Sequence, residues 1–388
     1  MTLESHDYSV IDPAWDLIIV PEISRDSEVG ISIYPFESLL KNVEAFRFAI
    51  FIFSSPFTPV LIESMRKIIL LKLLLAVNLW GTTFSISKGI LGRHIIDVFT
   101  LITFRMIFGF ITMLLFLIGL GKTKEIKPMV KRNWKWLVFI GTVSFGVAYI
   151  IQYIPFQYDL TTTVNQSILL NFQVFFVIII NFLVYKKRAS SMVILGAFIG
   201  FVGIVFLNLN ESFGFSFETI WGDLLTILSC FFWGTFTAFS KPICEQEDND
   251  PLVFNTIIIF IAMCALLPVA IISPRGFSKI GMLTGSDWTG ILWLGIACVA
   301  VPYVMWFTAL KEVESAKVAI FVYLEPIFAI MIAVIFIPEE SITIFTIIGM
   351  ILCFCGVFIA EWEPGNKNLT VEPEGSFLGE SSKWKQAT

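Results

Sequence analysis

Histidine is nearly missing from this chain: His6 and His94 are the only two in 388 residues. A zinc or haem centre would have to be assembled from almost nothing, and no cofactor is expected. The six cysteines, Cys230, Cys244, Cys264, Cys298, Cys353 and Cys355, form no Cys-x-x-Cys pair and lie mostly inside apolar runs, where they read as small apolar residues. Charge is scarce as well, since Asp, Glu, Lys and Arg make up 15% against roughly 25% in soluble domains. The sequence holds no Gly-Lys-Ser phosphate loop, which argues against pumping directly on ATP. Nor does it hold paired histidines or carboxylates clustered at ligand spacing, which argues against a membrane enzyme. The net charge of −5 says little, because in apolar chains the placement of Lys and Arg counts and the sum does not. No nucleic-acid partner is expected. The first thirty residues have no basic stretch feeding an apolar core, so no cleavable signal peptide is expected either.

What the chain has in abundance is apolar length. Hydrophobic residues make up 56% and the mean hydropathy is +0.83. Runs of about 20 apolar residues, enough to cross a bilayer, lie near 69–88, 98–119, 135–156, 162–185, 190–208, 222–241, 252–272, 288–310, 316–337 and 342–361. These ten spans repeat. Trp80-Gly81-Thr82 with Ser87-Lys88 returns as Trp233-Gly234-Thr235 with Ser240-Lys241 (233 − 80 = 153). Asp97 then pairs with Asp250, Gly196 with Gly349 and Gly203 with Gly356, while a slip of one residue pairs Trp134 with Trp288 and Tyr149 with Tyr303. Repeated transmembrane halves are a build of secondary transporters. The glycines of the fifth and tenth spans let helix backbones approach closely and mark packing helices rather than gates.

Basic residues set the expected orientation. With the first span starting inside, the inner loops of the first half collect Arg66, Lys67, Lys122, Lys124, Lys127, Lys131, Arg132, Lys186, Lys187 and Arg188, against Arg93 and the span-end Lys88 outside. Both termini are then cytoplasmic, in a multi-pass protein of the cell membrane. Five spans per copy turn the second copy upside down, and Glu339-Glu340 falls outside where the first copy has Lys186-Lys187-Arg188 inside. The expected fold is all-α integral membrane, ten transmembrane helices in two inverted five-helix repeats, covering 65–208 and 222–361. Residues 1–64 are read as an N-terminal extension, disordered or outside the fold. A start at Met65, where Met65-Arg66-Lys67 leads straight into the first span, competes with that reading and with an eleventh helix. Residues 362–388 are read as a disordered cytoplasmic tail.

The order of these features resembles the drug/metabolite transporter superfamily, EamA branch. The resemblance rests on a Trp-Gly near the middle of each first helix and an Arg in the second helix. It rests further on Ala309-Leu310, Ser315-Ala316, Leu324-Glu325-Pro326, the acidic turn Glu339-Glu340 and a closing glycine-rich helix. It covers about residues 66–361. It implies a central cavity reached alternately from each side and a small-molecule substrate such as an amino acid, often exported. The first copy departs from the pattern, with Asn171-Phe172 where the second has Glu325-Pro326.

Physics picks out candidate site residues independently. Arg105 lies eight positions into its span, roughly 12 Å along the axis at 1.5 Å per residue. A charge that deep costs at least about 2.5–3.5 kcal/mol if it faces lipid, so it faces the protein interior. It either anchors an anionic substrate group or caps helix ends; its repeat mate is Ile258, so the fold itself does not demand it. Glu325 reaches a similar level from the other direction. It carries a coupling proton, binds a substrate ammonium, or neutralises Arg105 or Lys317. Pro326 behind it removes an amide donor and frees a carbonyl one turn earlier, predicting a local break.

The fourth span carries two polar stripes, Thr162, Gln166 and Gln173 on one and Thr163, Ser167 and Asn171 on the other. Asn171 stands at the Glu325 position of its repeat and either lines the cavity or bonds a neighbouring helix. Tyr149 with Gln152 and Phe156, Tyr303 with Trp306, and the pair Trp80 and Trp233 supply either pocket walls or ordinary packing. Lys72 is read as snorkelling to the interface.

A secondary transporter accounts for the duplication, the inverted charges and the midplane Arg and Glu together. The alternative is a receptor, scaffold or channel built on the same fold. The expected partners are a small-molecule substrate, with or without a coupled proton, and membrane lipid; a monomer and a homodimer both fit.

Overall fold

The computed structural model describes residues 17–23, 29–35, 67–158, 160–161, 163–209, 220–273, 275–336 and 343–362. The Met65 start, Thr162, the Glu339-Glu340 turn, most of the 1–64 extension and the tail from 363 lie outside the described residues, as do the side chains of Lys88, Phe156 and Thr163. Within the extension, β1 (Leu17–Ile23) and β2 (Val29–Pro35) pair antiparallel, with Leu17 opposite Pro35. From residue 67 onward the described fold is helical.

Five helices form the first repeat. They are α1 (Lys67–Leu91), α2 (Val98–Gly119), α3 (Ile126–Val138, π-helical Phe139–Val147, Ala148–Gln157), α4 (Thr163–Leu169, 3-10 helical Leu170–Phe172, Gln173–Tyr185) and α5 (Ser191–Leu207). The second repeat follows the same plan. It comprises α6 (Ile220–Cys244), α7 (Pro251–Ile272), α8 (Gly285–Gly295, π-helical Ile296–Ala300, Val301–Glu312), α9 (Ser315–Ile320, 3-10 helical Phe321–Leu324, Glu325–Phe336) and α10 (Ile344–Glu361). Nine of the described helical spans are long and apolar enough to cross a membrane, and Ser191–Leu207 is the shorter tenth.

Helix starts follow from local chemistry. Asp97, Ser190, Asp250 and Thr343 sit at N-caps with side-chain oxygens taking first-turn amides, and Thr284 with Asp287 forms a reciprocal capping box. The third and fourth helices of each repeat are the broken ones. The 3-10 turn before Glu325 agrees with the break expected from Pro326, yet α4 breaks at Leu170–Phe172 with no proline. The irregularity therefore belongs to the repeat and not to the proline.

The two repeats interlock. Gly81 of α1 lies against Phe328 and Ala329 of α9, and its counterpart Gly234 of α6 lies against Phe176 and Val177 of α4. Helices α5 and α10 meet through glycine in the same reciprocal way: Gly196 faces Gly356 and Ala360, while Gly203 faces Cys353 and Gly349. A methyl group at Gly203 would stand 2.7 Å from the Cys353 backbone nitrogen and 2.8 Å from the Gly349 oxygen. Backbone cannot yield as a side-chain tip can, so alanine there costs on the order of 1–3 kcal/mol. These are the packing helices that the glycine pattern predicts.

Candidate functional site

The Trp-Gly-Thr motif builds the site wall from both repeats. Each of its three residues has a separate job. The Gly lets the first helix of one repeat touch the broken fourth helix of the other. The Thr reaches the π-helical segment of the other repeat: Thr82 Oγ1 lies 3.2 Å from Cys298 Sγ, and Thr235 Oγ1 lies 2.9 Å from Ser144 Oγ. The Trp turns toward the centre. Trp80 Nε1 donates to the Cys298 carbonyl at 3.1 Å, and its ring lies 5.2 Å from Tyr303 and 5.1 Å from Trp306. Trp233 Nε1 donates to Gln152 Oε1 at 2.7 Å, with its ring 5.0 Å from Tyr149.

Tyr149 and Tyr303, counterparts in the two repeats, meet at the centre with their hydroxyls 3.3 Å apart. Each is 5% exposed. Arg105 comes in from α2 at 3% exposure, close enough to Tyr149, Tyr153, Tyr303 and Cys298 to interact with each electrostatically. Its Nε has no hydrogen-bond partner. Glu325, the first residue after the 3-10 turn of α9, is partly exposed within the bundle and feels the Arg105 charge. Yet no ion pair joins Glu325 to Arg105 among the described residues. The guanidinium therefore attracts the carboxylate without bonding it.

The remaining sequence candidates divide. Gln166 is brought to the wall, its Nε2 donating to the Gln152 carbonyl at 2.6 Å. Trp306 is buried beside Trp80. Asn171 is not brought to the Arg105 group; its Nδ2 folds back onto the Ser167 carbonyl at 2.7 Å, one turn up its own helix. The residue structurally equivalent to Glu325 is Gln173 (325 − 173 = 152), since each is the first residue after the 3-10 turn of its repeat. The sequence spacing that paired Asn171 with Glu325 is displaced because the α3–α4 connection is longer than the α8–α9 one. Tyr153, Cys298 and Gln152 belong to the site as well. Tyr153 is signalled only by its place one turn beyond Tyr149, and Cys298 only by its repeat pairing with Ser144 (298 − 144 = 154).

Away from the centre, each face of the bundle is tied at an N-cap aspartate. Asp97 accepts from Ser273 Oγ at 2.6 Å, Thr100 N at 2.8 Å, Gly276 N at 3.0 Å and Arg275 N at 3.2 Å. Burial pushes its carboxyl upward, but the Ser273, Thr100 and Gly276 hydrogen bonds outweigh that and hold it below the ordinary carboxylate range. On the opposite face its counterpart Asp250 pairs with Lys122, and Arg132 bonds Asp248 and Asn249.

Ten helices in two interlocked inverted repeats, with a buried Arg and a partly exposed Glu near the centre, define a multi-pass membrane transporter and not an enzyme. The EamA-like transporter family matches the chain twice, over residues 67–209 and 220–362, and the chain belongs to that family. An uncharacterized transporter of Archaeoglobus fulgidus is 28% identical over 290 residues, spanning 74% of this chain and 96% of its own length. A protein of Escherichia coli named as a probable amino-acid metabolite efflux pump is 25% identical over 199 residues, 50% of this chain and 65% of that protein. One crystal structure shares the fold, with a TM-score of 0.64 at 16% identity, over 76% of this chain and 97% of its own.

Proposed function

We propose that this protein is a secondary transporter that exports an amino acid or a closely related zwitterionic metabolite by alternating access. The observation that carries the reading is Arg105, buried, with Nε unpartnered, and drawn to Glu325 without an ion pair. A substrate carboxylate is the natural partner for the guanidinium, and a substrate ammonium for the carboxylate. Trp80, Tyr303 and Trp306 offer apolar area to the rest of the molecule. In the empty cycle Glu325 takes a proton in place of the ammonium, which makes transport proton-coupled. The name of the Escherichia coli relative supports the substrate class and the direction. The positive-inside pattern supports cytoplasmic termini and a face bearing Asp97 that is external.

The test is counterflow in proteoliposomes against a panel of amino acids and other small metabolites. Arg105→Lys keeps the charge and loses the planar fork, and is expected to weaken uptake of the accepted amino acid by at least about tenfold with protein yield unchanged. Equal loss of yield and transport would make Arg105 structural, and no counterflow with any zwitterion would remove the substrate class.

A further inference from the structure

Equivalent positions on the two sides of the Tyr149–Tyr303 pair are filled differently. The repeat pairs Phe236 with Thr83 (236 − 83 = 153), Phe145 with Val299 (299 − 145 = 154) and Phe307 with Tyr153 (307 − 153 = 154). Toward the Asp250 face, Phe236 packs against two further phenylalanines. Phe236 is 2% exposed, and its ring lies 5.0 Å from Phe145 and 5.5 Å from Phe307. Phe145 also packs 5.4 Å from Tyr303, so the stack begins directly beneath the central pair. Beyond Phe236, Ser240 is fully buried with its hydroxyl unpartnered, cut off from the centre.

Toward the Asp97 face the same positions hold a threonine, a valine and a tyrosine. Thr83 and Ser87 continue the stripe of Trp80 along α1 at three- and four-residue steps. Both are buried, and neither hydroxyl has a partner. Enclosed hydroxyls without partners favour water or a polar solute beside them, whereas a stack of phenyl rings excludes both.

We infer that Phe236, wedged between Phe145 and Phe307, is the plug that seals the central site from the Asp250 face, and that the Thr83–Ser87 stripe lines the polar route to the Asp97 face. This rests on reading the centre as a transport site, but not on the substrate class. Exchanging the conformations of inverted repeats converts one access state into the other. In the exchanged state the seal falls to Thr83, Val299 and Tyr153, which bring less apolar area to it. The state sealed toward Asp250 is the more populated one at rest.

The experiment places single cysteines at Ser87 and Ser240 of the full-length protein in membrane vesicles of each sidedness. A membrane-impermeant maleimide reports access, read above the labelling of the chain's own cysteines. Ser87→Cys is expected to label from the Asp97 face, and Ser240→Cys from that same face at least about tenfold more slowly, because Phe236 lies between it and the centre. Adding Phe236→Thr should speed Ser240→Cys labelling from the Asp97 face about tenfold and leave Ser87→Cys within about twofold. Equal Ser240→Cys rates with and without Phe236 overturn the plug, and so does a rise at both sites. Should Phe236→Thr fail to fold, Phe236→Leu is the second variant: faster Ser240→Cys labelling from the Asp97 face supports the inference and an unchanged rate overturns it. Labelling needs no substrate, so a failure of amino-acid counterflow and a failure of this inference are told apart.

Discussion

Arg105 and Glu325 stand out at the level of single residues because an ionised group inside an apolar run is expensive wherever it points, and that cost is visible one letter at a time. Tyr149, Tyr303, Trp80 and Trp233 were visible only as repeated aromatics; their convergence depends on how the repeats interlock. Gln152 and Cys298 could not be ranked from sequence, since their importance comes from Trp233 and Trp80, 81 and 218 positions away. The pairing of Asn171 with Glu325 slips because a repeat register drifts by a residue or two wherever connecting loops differ. For Glu325, the proposed proton role gives a sharp expectation. Glu325→Gln should abolish flux driven by a pH gradient while sparing substrate exchange, measured side by side in proteoliposomes; a variant whose flux keeps its pH dependence removes the proton role.

Among the elements, span count and boundaries follow from hydropathy, and the N-caps from Asp, Ser and Thr placed just before the apolar runs. The paired π-helical and 3-10 helical breaks do not, because each is settled by contacts with the opposite repeat; the α4 break has no proline to announce it. The Asp97 cap binds α2 to the segment 273–276, and its linkage to pH has a definite sign. With the folded carboxyl below its ordinary value, its contribution is fully present above about pH 4, the unfolded range, and is lost as pH falls through the folded value. Asp97→Asn turns an amide toward the Arg275 and Gly276 N–H groups. It should destabilise the purified protein by on the order of 1–2 kcal/mol at neutral pH. The difference in thermal midpoint between parent and variant should shrink on acidification, and a difference that holds constant down to pH 3 would contradict the assignment.

Viewed whole, the bundle is two copies of one five-helix unit threaded through each other, so that neither copy completes a site alone. Inversion makes a direct demand on the loops. Lys124, between α2 and α3, and Lys279, between α7 and α8, are both exposed and occupy corresponding connections. Cysteines placed there should react with an impermeant reagent from opposite sides of the membrane; reaction from one side would end the inverted arrangement. The Tyr149–Tyr303 contact gives this architecture a mechanical property. In the proposed alternating-access cycle, a link between a residue and its own counterpart is carried onto itself when the halves trade places, so this contact need not break. On that proposal it would act as a fulcrum, and since one phenol gives its hydrogen and the other receives it, the stroke would have this donor and acceptor swap parts.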